Sequence, residues 1–359
     1  MAERQHGFAI VGCGVIGPSH ARAIQALPNA RLVATVDVVE ERAQKLAAEF
    51  GGEPDTDLDR VLSRPDVDVV SVCVPSGLHS EVGCRAAAAG KHVLVEKPID
   101  VTLEAADRLI AAARSAGVRL GVVSQYRFAP GVRRVRELLD GGRLGRPLLG
   151  DAIIKWYRSQ GYYDGGDWRG TWALDGGGCL MNQGIHYIDL LQWLMGPVEQ
   201  VTAHVATAAH RMEVEDVALA IVRFRSGALG LIEGSTAVFP GLPERLEISG
   251  EGGTAIVEVG RLALCELRDE RGEVGAYGAK KAGGRQSTTS AAADPAALSE
   301  TSHQPQVADL LAAIDEDRDP AITGEAGRMP LEVILAVYES ARQGRPVQLP
   351  LGSAAVGVG

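Results

Sequence analysis

Phe8-Ala9-Ile10-Val11-Gly12-Cys13-Gly14-Val15-Ile16-Gly17 reads as a short apolar strand that runs into a Gly-x-Gly-x-x-Gly turn. A helical pattern follows through Ala21, Ile24 and Leu27. The hexapeptide alone carries little information. Placed after a strand and at the start of a helix, it predicts a dinucleotide-binding turn. Gly12 permits the tight turn, Gly14 lets a pyrophosphate approach the backbone, and Gly17 allows close packing of helix on strand. Backbone N–H groups around Val15, Ile16 and Gly17, together with the helix dipole, favour phosphate charge. A second strand, 31–36, ends in Asp37, twenty residues after Gly17. A carboxylate there can hold both hydroxyls of an adenosine ribose and repel a 2′-phosphate, so NAD is favoured over NADP. Arg42 is close enough in sequence to offset that repulsion, but its helical spacing turns it toward solvent.

Composition bounds what lies around this turn. A chain of 359 residues exceeds one typical core and suits two domains, here drawn at 1–125 and 126–359. Hydrophobic residues at 46% and charged residues at 23% describe an ordinary globular protein. No apolar run approaches the roughly 18 residues of a membrane span, and the N-terminus lacks a signal-peptide pattern. The net charge of −10 disfavours nucleic acid and anionic membranes as partners. Five cysteines lie scattered without paired metal-ligand spacing, which fits buried thiols in a reducing cytoplasm. No metal is expected.

The strand–helix alternation continues through the first half. Val67 to Val74 is a near-continuous apolar run, as a parallel strand buried on both faces requires. Pro75-Ser76-Gly77-Leu78-His79 breaks it, and strand ends in open α/β sheets point into the ligand crevice. Ser76 and His79 are therefore candidates to line the nicotinamide side, although His79 equally suits a capping or solvated role. His92-Val93-Leu94-Val95-Glu96-Lys97-Pro98 is a further strand, ending with a lysine at the sheet's C-terminal rim. Such lysines are often simply solvated, but Pro98 fixes the chain just where Lys97 leaves the sheet. A helix over 103–116 and a strand over 119–123 complete this half, and Gln125-Tyr126-Arg127-Phe128 leaves the sheet.

From Pro147 onward long strands replace the alternation: 148–156, 198–208, 217–224, 229–236, 244–249, 254–259 and 262–267. Short turns such as Ser226-Gly227 join several of them and indicate a mostly antiparallel sheet. Across it lies a helix read from Gly176 to Gly196, GGGCLMNQGIHYIDLLQWLMG. Ile185, Ile188, Leu191 and Met195 form one stripe, and Asn182, His186 and Asp189 another. Read alone, this is equally a core helix with a satisfied histidine. The preceding loop, 157–172, is long, polar and aromatic, which favours function. Its Arg169, flanked by Trp168 and Trp172, suits a carboxylate or phosphate, while the aromatic residues also suit a plain loop anchor. A low-complexity stretch, Gly275 to Ala297, is expected to be a mobile loop. Helices over 304–315 and 331–342 close the chain.

Taken in order, Gly12-x-Gly14-x-x-Gly17, Glu96-Lys97-Pro98 and Gly176-Gly177-Gly178…His186 resemble the glucose–fructose oxidoreductase/inositol dehydrogenase (Gfo/Idh/MocA) family over nearly the whole chain. The resemblance implies an α/β protein: a Rossmann NAD-binding domain followed by an α/β domain with a large open sheet. It implies a homodimer or homotetramer through that sheet, and a cis peptide before Pro98. It also implies hydride transfer between a nicotinamide cofactor and a sugar, nucleotide sugar or cyclitol. The family's lysine role carries over to Lys97 and its general base to His186, with Glu96 beside the cofactor. Where the family helix often carries aspartate, this chain has Asn182. An amide can orient His186 or a hydroxyl but cannot supply charge to an imidazolium. That variant resembles the nucleotide-sugar 3-dehydrogenase branch. Arg127, Trp168, Arg169, Asn182 and His186 are the candidate substrate-binding residues. Two rivals stand beside a dehydrogenase: a lyase or glycosidase that uses NAD for transient oxidation, and a non-catalytic dinucleotide sensor.

Overall fold

The computed structural model describes residues 5–268 and 303–352. Two compact units result, one of residues 5–125, 172–176 and 303–331, the other of 126–171, 177–268 and 332–352. Residues 172–176 and 303–331 thus return to the first unit, which a single division of the sequence at residue 125 does not express. The low-complexity stretch 275–297 lies outside the described residues.

The first unit is built on six parallel strands: β1 (His6–Val11), β2 (Ala30–Val36), β3 (Glu53–Asp55), β4 (Val69–Val72), β5 (His92–Val95) and β6 (Leu120–Val122). Their order is β3-β2-β1-β4-β5-β6. Every residue of β1 and β4 is buried, because helices cover both faces and leave no place for a polar stripe. Those helices are α1 (Gly17–Gln25), α2 (Glu40–Phe50), α3 (Leu58–Leu62), α4 (His79–Ala88) and α5 (Leu103–Ala116). Thr102 caps α5 by accepting the Ala105 N–H at 3.2 Å, and Gly117 ends it in the left-handed conformation. The order reverses between β1 and β4, so the ends of both strands open at one crevice.

The second unit opens with α6 (Pro130–Asp140), β7 (Pro147–Lys155) and the short α7 (Gln160–Asp164). A π-helical turn over Cys179–Gly184 leads into α8 (Ile185–Met195). Six strands follow: β8 (Val198–Ala206), β9 (Val217–Phe224), β10 (Leu229–Ser235), β11 (Arg245–Gly250), β12 (Gly253–Glu258) and β13 (Arg261–Leu267). Helix α9 (Gln304–Asp315) belongs to the first unit, where Val307, Leu310 and Leu311 enter the core with Phe8, Ile10 and Leu94. Helix α10 (Gly324–Gln343) and β14 (Val347–Gln348) close the chain. The second sheet runs β13-β12-β11-β7-β10-β9-β8-β14, antiparallel except for the β7–β10 pair. Helix α8 lies against β7, β11 and α6. Gly150 makes that approach possible, since a Cβ there would fall 2.8 Å from Met195 Cγ.

Two sequence expectations are corrected. Helix α10 begins at Gly324 rather than Leu331, with Pro330 inside it. The Thr323 hydroxyl caps it from the Ala326 N–H at 3.2 Å, so the first turns hold despite the proline. The helix read over 176–196 is also divided, a π-helical turn over Cys179–Gly184 carrying Asn182 and the α-helix holding only Ile185–Met195. Through α8 both stripes are buried, His186 and Asp189 included, because sheet and helices enclose it.

Candidate active site

In the first unit the glycine turn is shaped as its sequence requires. Gly12 has φ +95°, and a Cβ there would lie 2.5 Å from the Cys73 backbone, so only glycine fits. A Cβ on Gly14 would meet nothing among the described residues within 4 Å, and Val15 beside it is 80% exposed. The turn therefore presents bare backbone at the crevice. Helix α1 starts there without an acidic residue in its first turn or a side-chain cap on Ile16, which leaves its positive end uncountered. Asp37 follows β2 and is nearly buried. Its oxygens accept the Cys13 N–H at 2.8 Å and the Val39 N–H at 2.9 Å, leaving acceptor capacity on each. An open glycine cradle, an uncapped helix start and a held carboxylate fit a dinucleotide.

At the end of β5, Glu96 is buried and Lys97 half-buried, and the Lys97–Pro98 peptide is cis. Burial lowers the pKa of the Lys97 ammonium, while the charges of Glu96 and Asp175 act the other way. Asp175 reaches this place because 172–176 docks on the first unit, where the Gly77 N–H donates to the Leu174 carbonyl at 2.9 Å. Sequence reading missed it, since nothing local links residue 175 to residue 97. It also missed His20 and His303, which gather at Glu96. The signal was present for His20 alone, three residues after Gly17. Ser76 is buried at the turn after β4. His79 departs from expectation. It is 1% exposed, and its ring nitrogens face the carbonyl oxygens of Pro98 (2.7 Å) and Val74 (2.9 Å). It ties two turns together instead of presenting a nitrogen to the nicotinamide.

In the second unit Glu215 organises the entry to α8. Its carboxylate accepts the N–H groups of Gly178 and Leu180, each at 2.9 Å, and the Tyr338 hydroxyl at 3.0 Å. Burial pushes its pKa up to about 7 against those opposing bonds. A Cβ on Gly178 would strike the Glu215 carbonyl, so the glycine run is needed for this approach. The wide turn that results carries Asn182, half-buried, and delivers His186 at the start of α8. The His186 ring tilts against Tyr126 with centroids 5.0 Å apart. Arg127, a candidate for substrate, is instead committed to Asp189 through two bonds of 2.8 and 2.5 Å and lies over the Trp193 ring. Arg169 is held between Tyr162 and Trp168, its guanidinium carbon 4.6 and 5.3 Å from their ring centroids. Its Nε is buried with no hydrogen-bond partner among the described residues.

Residues 6–124 match the model of the oxidoreductase family with an NAD-binding Rossmann fold, GFO/IDH/MocA, and residues 132–256 match the GFO/IDH/MocA C-terminal domain. The 1,5-anhydro-D-fructose reductase of Ensifer adhaerens is 30% identical over 96% of this chain and 99% of its own. The myo-inositol 2-dehydrogenase of Thermotoga maritima is 27% identical over 95% and 98%. The WlbA dehydrogenase from Bordetella pertussis, solved in complex with NADH and UDP-GlcNAcA, superposes with a TM-score of 0.84. It is 34% identical, covering 97% of this chain and 100% of that one.

Proposed function

The chain belongs to the GFO/IDH/MocA family and is an NAD-dependent oxidoreductase, and from that premise we propose that it transfers a hydride between NAD and a ring hydroxyl of a nucleotide sugar. The observation that carries the substrate class is the end-to-end similarity to WlbA, higher in identity than that to the inositol and anhydrofructose enzymes. A free sugar or cyclitol is the alternative within the same chemistry. When bound, NAD supplies the hydride acceptor. Gly12, Gly14, Val15, Ile16 and Gly17 cradle its pyrophosphate, and Asp37 holds its ribose. Glu96 holds the turn that carries Lys97, and Ser76 lines the nicotinamide side. His186 takes the hydroxyl proton, Lys97 stabilises the alkoxide charge, and Asn182 orients a hydroxyl. Arg169, stacked beside Trp168, offers a cation to an anionic group of the substrate. Arg127 serves by fixing Asp189.

The test is a panel of UDP-GlcNAcA, other nucleotide sugars, myo-inositol and 1,5-anhydrofructose, each with NAD and NADP, followed by absorbance and product analysis. Accumulation of NADH with a nucleotide sugar supports the proposal. Sugar consumed without net NADH points to the transient-redox lyase or glycosidase, and dinucleotide binding without turnover points to a sensor. Asp37→Ser is expected to weaken NAD binding and raise relative activity with NADP, as measured by kcat/KM for each. Equal wild-type affinities for the two cofactors would remove the basis for this role.

We assign the assembly to the open face of the second sheet. Leu149, Leu219, Ile221 and Leu229 stand exposed on β7, β9 and β10, with Ile221 at 62%. An apolar row of this kind on an otherwise alternating sheet marks an interface. Ile221→Lys is expected to shift the protein toward monomer in light scattering at micromolar concentration, and an unchanged mass would refute the assignment. Cytoplasmic residence is proposed with it. Cys13, Cys73 and Cys179 are buried thiols, and no helix among the described residues is long and apolar enough to cross a membrane.

A further inference from the structure

We propose that His20 and His303 are positioning residues that act on Lys97 through the carboxylate of Glu96. This rests on the reading of Lys97 as the cation of the active site. The three side chains come from separate elements, all in the first unit: His20 from α1, Glu96 from the end of β5, and His303 from the residue before α9. All are buried. Glu96 Oε1 lies 2.8 Å from His20 Nε2 and 3.4 Å from His303 Nε2. Its other oxygen, Oε2, accepts the backbone N–H of Lys97 at 3.1 Å. His20 Nδ1 lies 2.6 Å from the Ser71 hydroxyl on β4, which fixes the ring. Each carboxylate oxygen therefore has a defined task, one toward the imidazoles and one toward the lysine.

A buried carboxylate is costly unless its oxygens are bonded. Burial alone raises the pKa of Glu96, but the hydrogen bond from His20 and the His303 imidazole 3.4 Å away outweigh it and hold the group well below the usual carboxylate range. The anion so maintained supports the Lys97 ammonium, as does Asp175. Cys73, which also feels Glu96, has its thiol pushed well up and adds no charge. His79 and Asp100 are further titratable groups at the turn, the first against the Pro98 carbonyl and the second accepting the Ser80 N–H. Without the two imidazoles Glu96 takes up a proton, and Lys97 loses that charge.

The same three residues have the makeup of a metal site, their ligand atoms lying within 4.8 Å of one another. Two ligands of one tetrahedral zinc, each about 2.0–2.1 Å from the ion, stand about 3.3 Å apart. The 2.8 Å between His20 and Glu96 is instead the length of an N–H···O bond.

The test is competitive labelling of the full chain with acetic anhydride across pH, read by peptide mass spectrometry at Lys97, with exposed Lys45 as internal reference. It needs no turnover, so failure of the proposed reaction and failure of this inference are separable. In Glu96→Gln and in the double variant His20→Phe/His303→Phe, the Lys97 midpoint is expected to fall by about one pH unit while Lys45 stays fixed. His20→Gln, which keeps an N–H donor toward Glu96, should return the midpoint toward wild type. If the double variant does not fold, His20→Phe alone carries the same direction. A Lys97 midpoint that stays put or rises in Glu96→Gln overturns the inference, as does stoichiometric zinc in the purified protein.

Discussion

Lys97→Ala is expected to abolish turnover while leaving the fold and much of the NAD affinity intact. The lysine leaves β5 beside two buried carboxylates, Glu96 and Asp175, which oppose the effect of burial on its ammonium. A cation kept in so sheltered a place does little for stability and much for a developing alkoxide. Loss of such a group costs on the order of 10²–10³ in kcat. The adenosine and pyrophosphate contacts belong to Asp37 and to the turn from Gly12 to Gly17, so a calorimetric titration with NAD should still saturate. Activity within about tenfold of wild type, worth only ~1.4 kcal/mol of barrier, would make Lys97 merely structural. Lys97→Arg separates charge from shape, because guanidinium keeps the charge but not the compact ammonium.

The first sheet was legible because its strands are uninterrupted apolar runs with one possible environment. Val67 to Val74 fits a strand buried on both faces, and β4 lies within it. Strand β9 was read residue for residue, since its alternation records one covered and one open face. The parallel pairing of β7 with β10 left no such trace, because α7, α8, β8 and β9 intervene and nothing local specifies the partner. The same limit hid Asp175 and His303 from Lys97, and Glu215 from the glycine run that it caps. His79 illustrates a different failure. Its place at the end of a strand was readable, but not that its ring turns back onto two carbonyl oxygens. Arg127 is similar: the sequence showed an arginine leaving the sheet, and Asp189, the partner that consumes it, is remote. Local patterns report what a residue is covered by, and only the fold reports what it points at.

For oxidation, kcat/KM should rise with pH through one ionisation belonging to an imidazole, and His186→Ala should remove that limb. His186 stands at the start of α8, buried against Tyr126, where a neutral ring suits a base for an alcohol proton near neutral pH. Asp189 lies one turn further on, where its carboxylate pairs with Arg127. Loss of general-base help costs roughly 10²–10⁴-fold, and a melting curve run in parallel separates that loss from a packing defect. Asn182→Asp is the companion experiment. A carboxylate beside the imidazole would favour its charged form and move the limb to higher pH. The π-helical turn sharpens this test, because i to i+5 bonding changes the register in which Asn182 and His186 stack. Should the limb persist in His186→Ala, the base is another group, with Lys97 or Tyr162 next to be tried. Should it stay fixed in Asn182→Asp while the protein remains folded, the amide does not face the imidazole, and its role is confined to the substrate's hydroxyl.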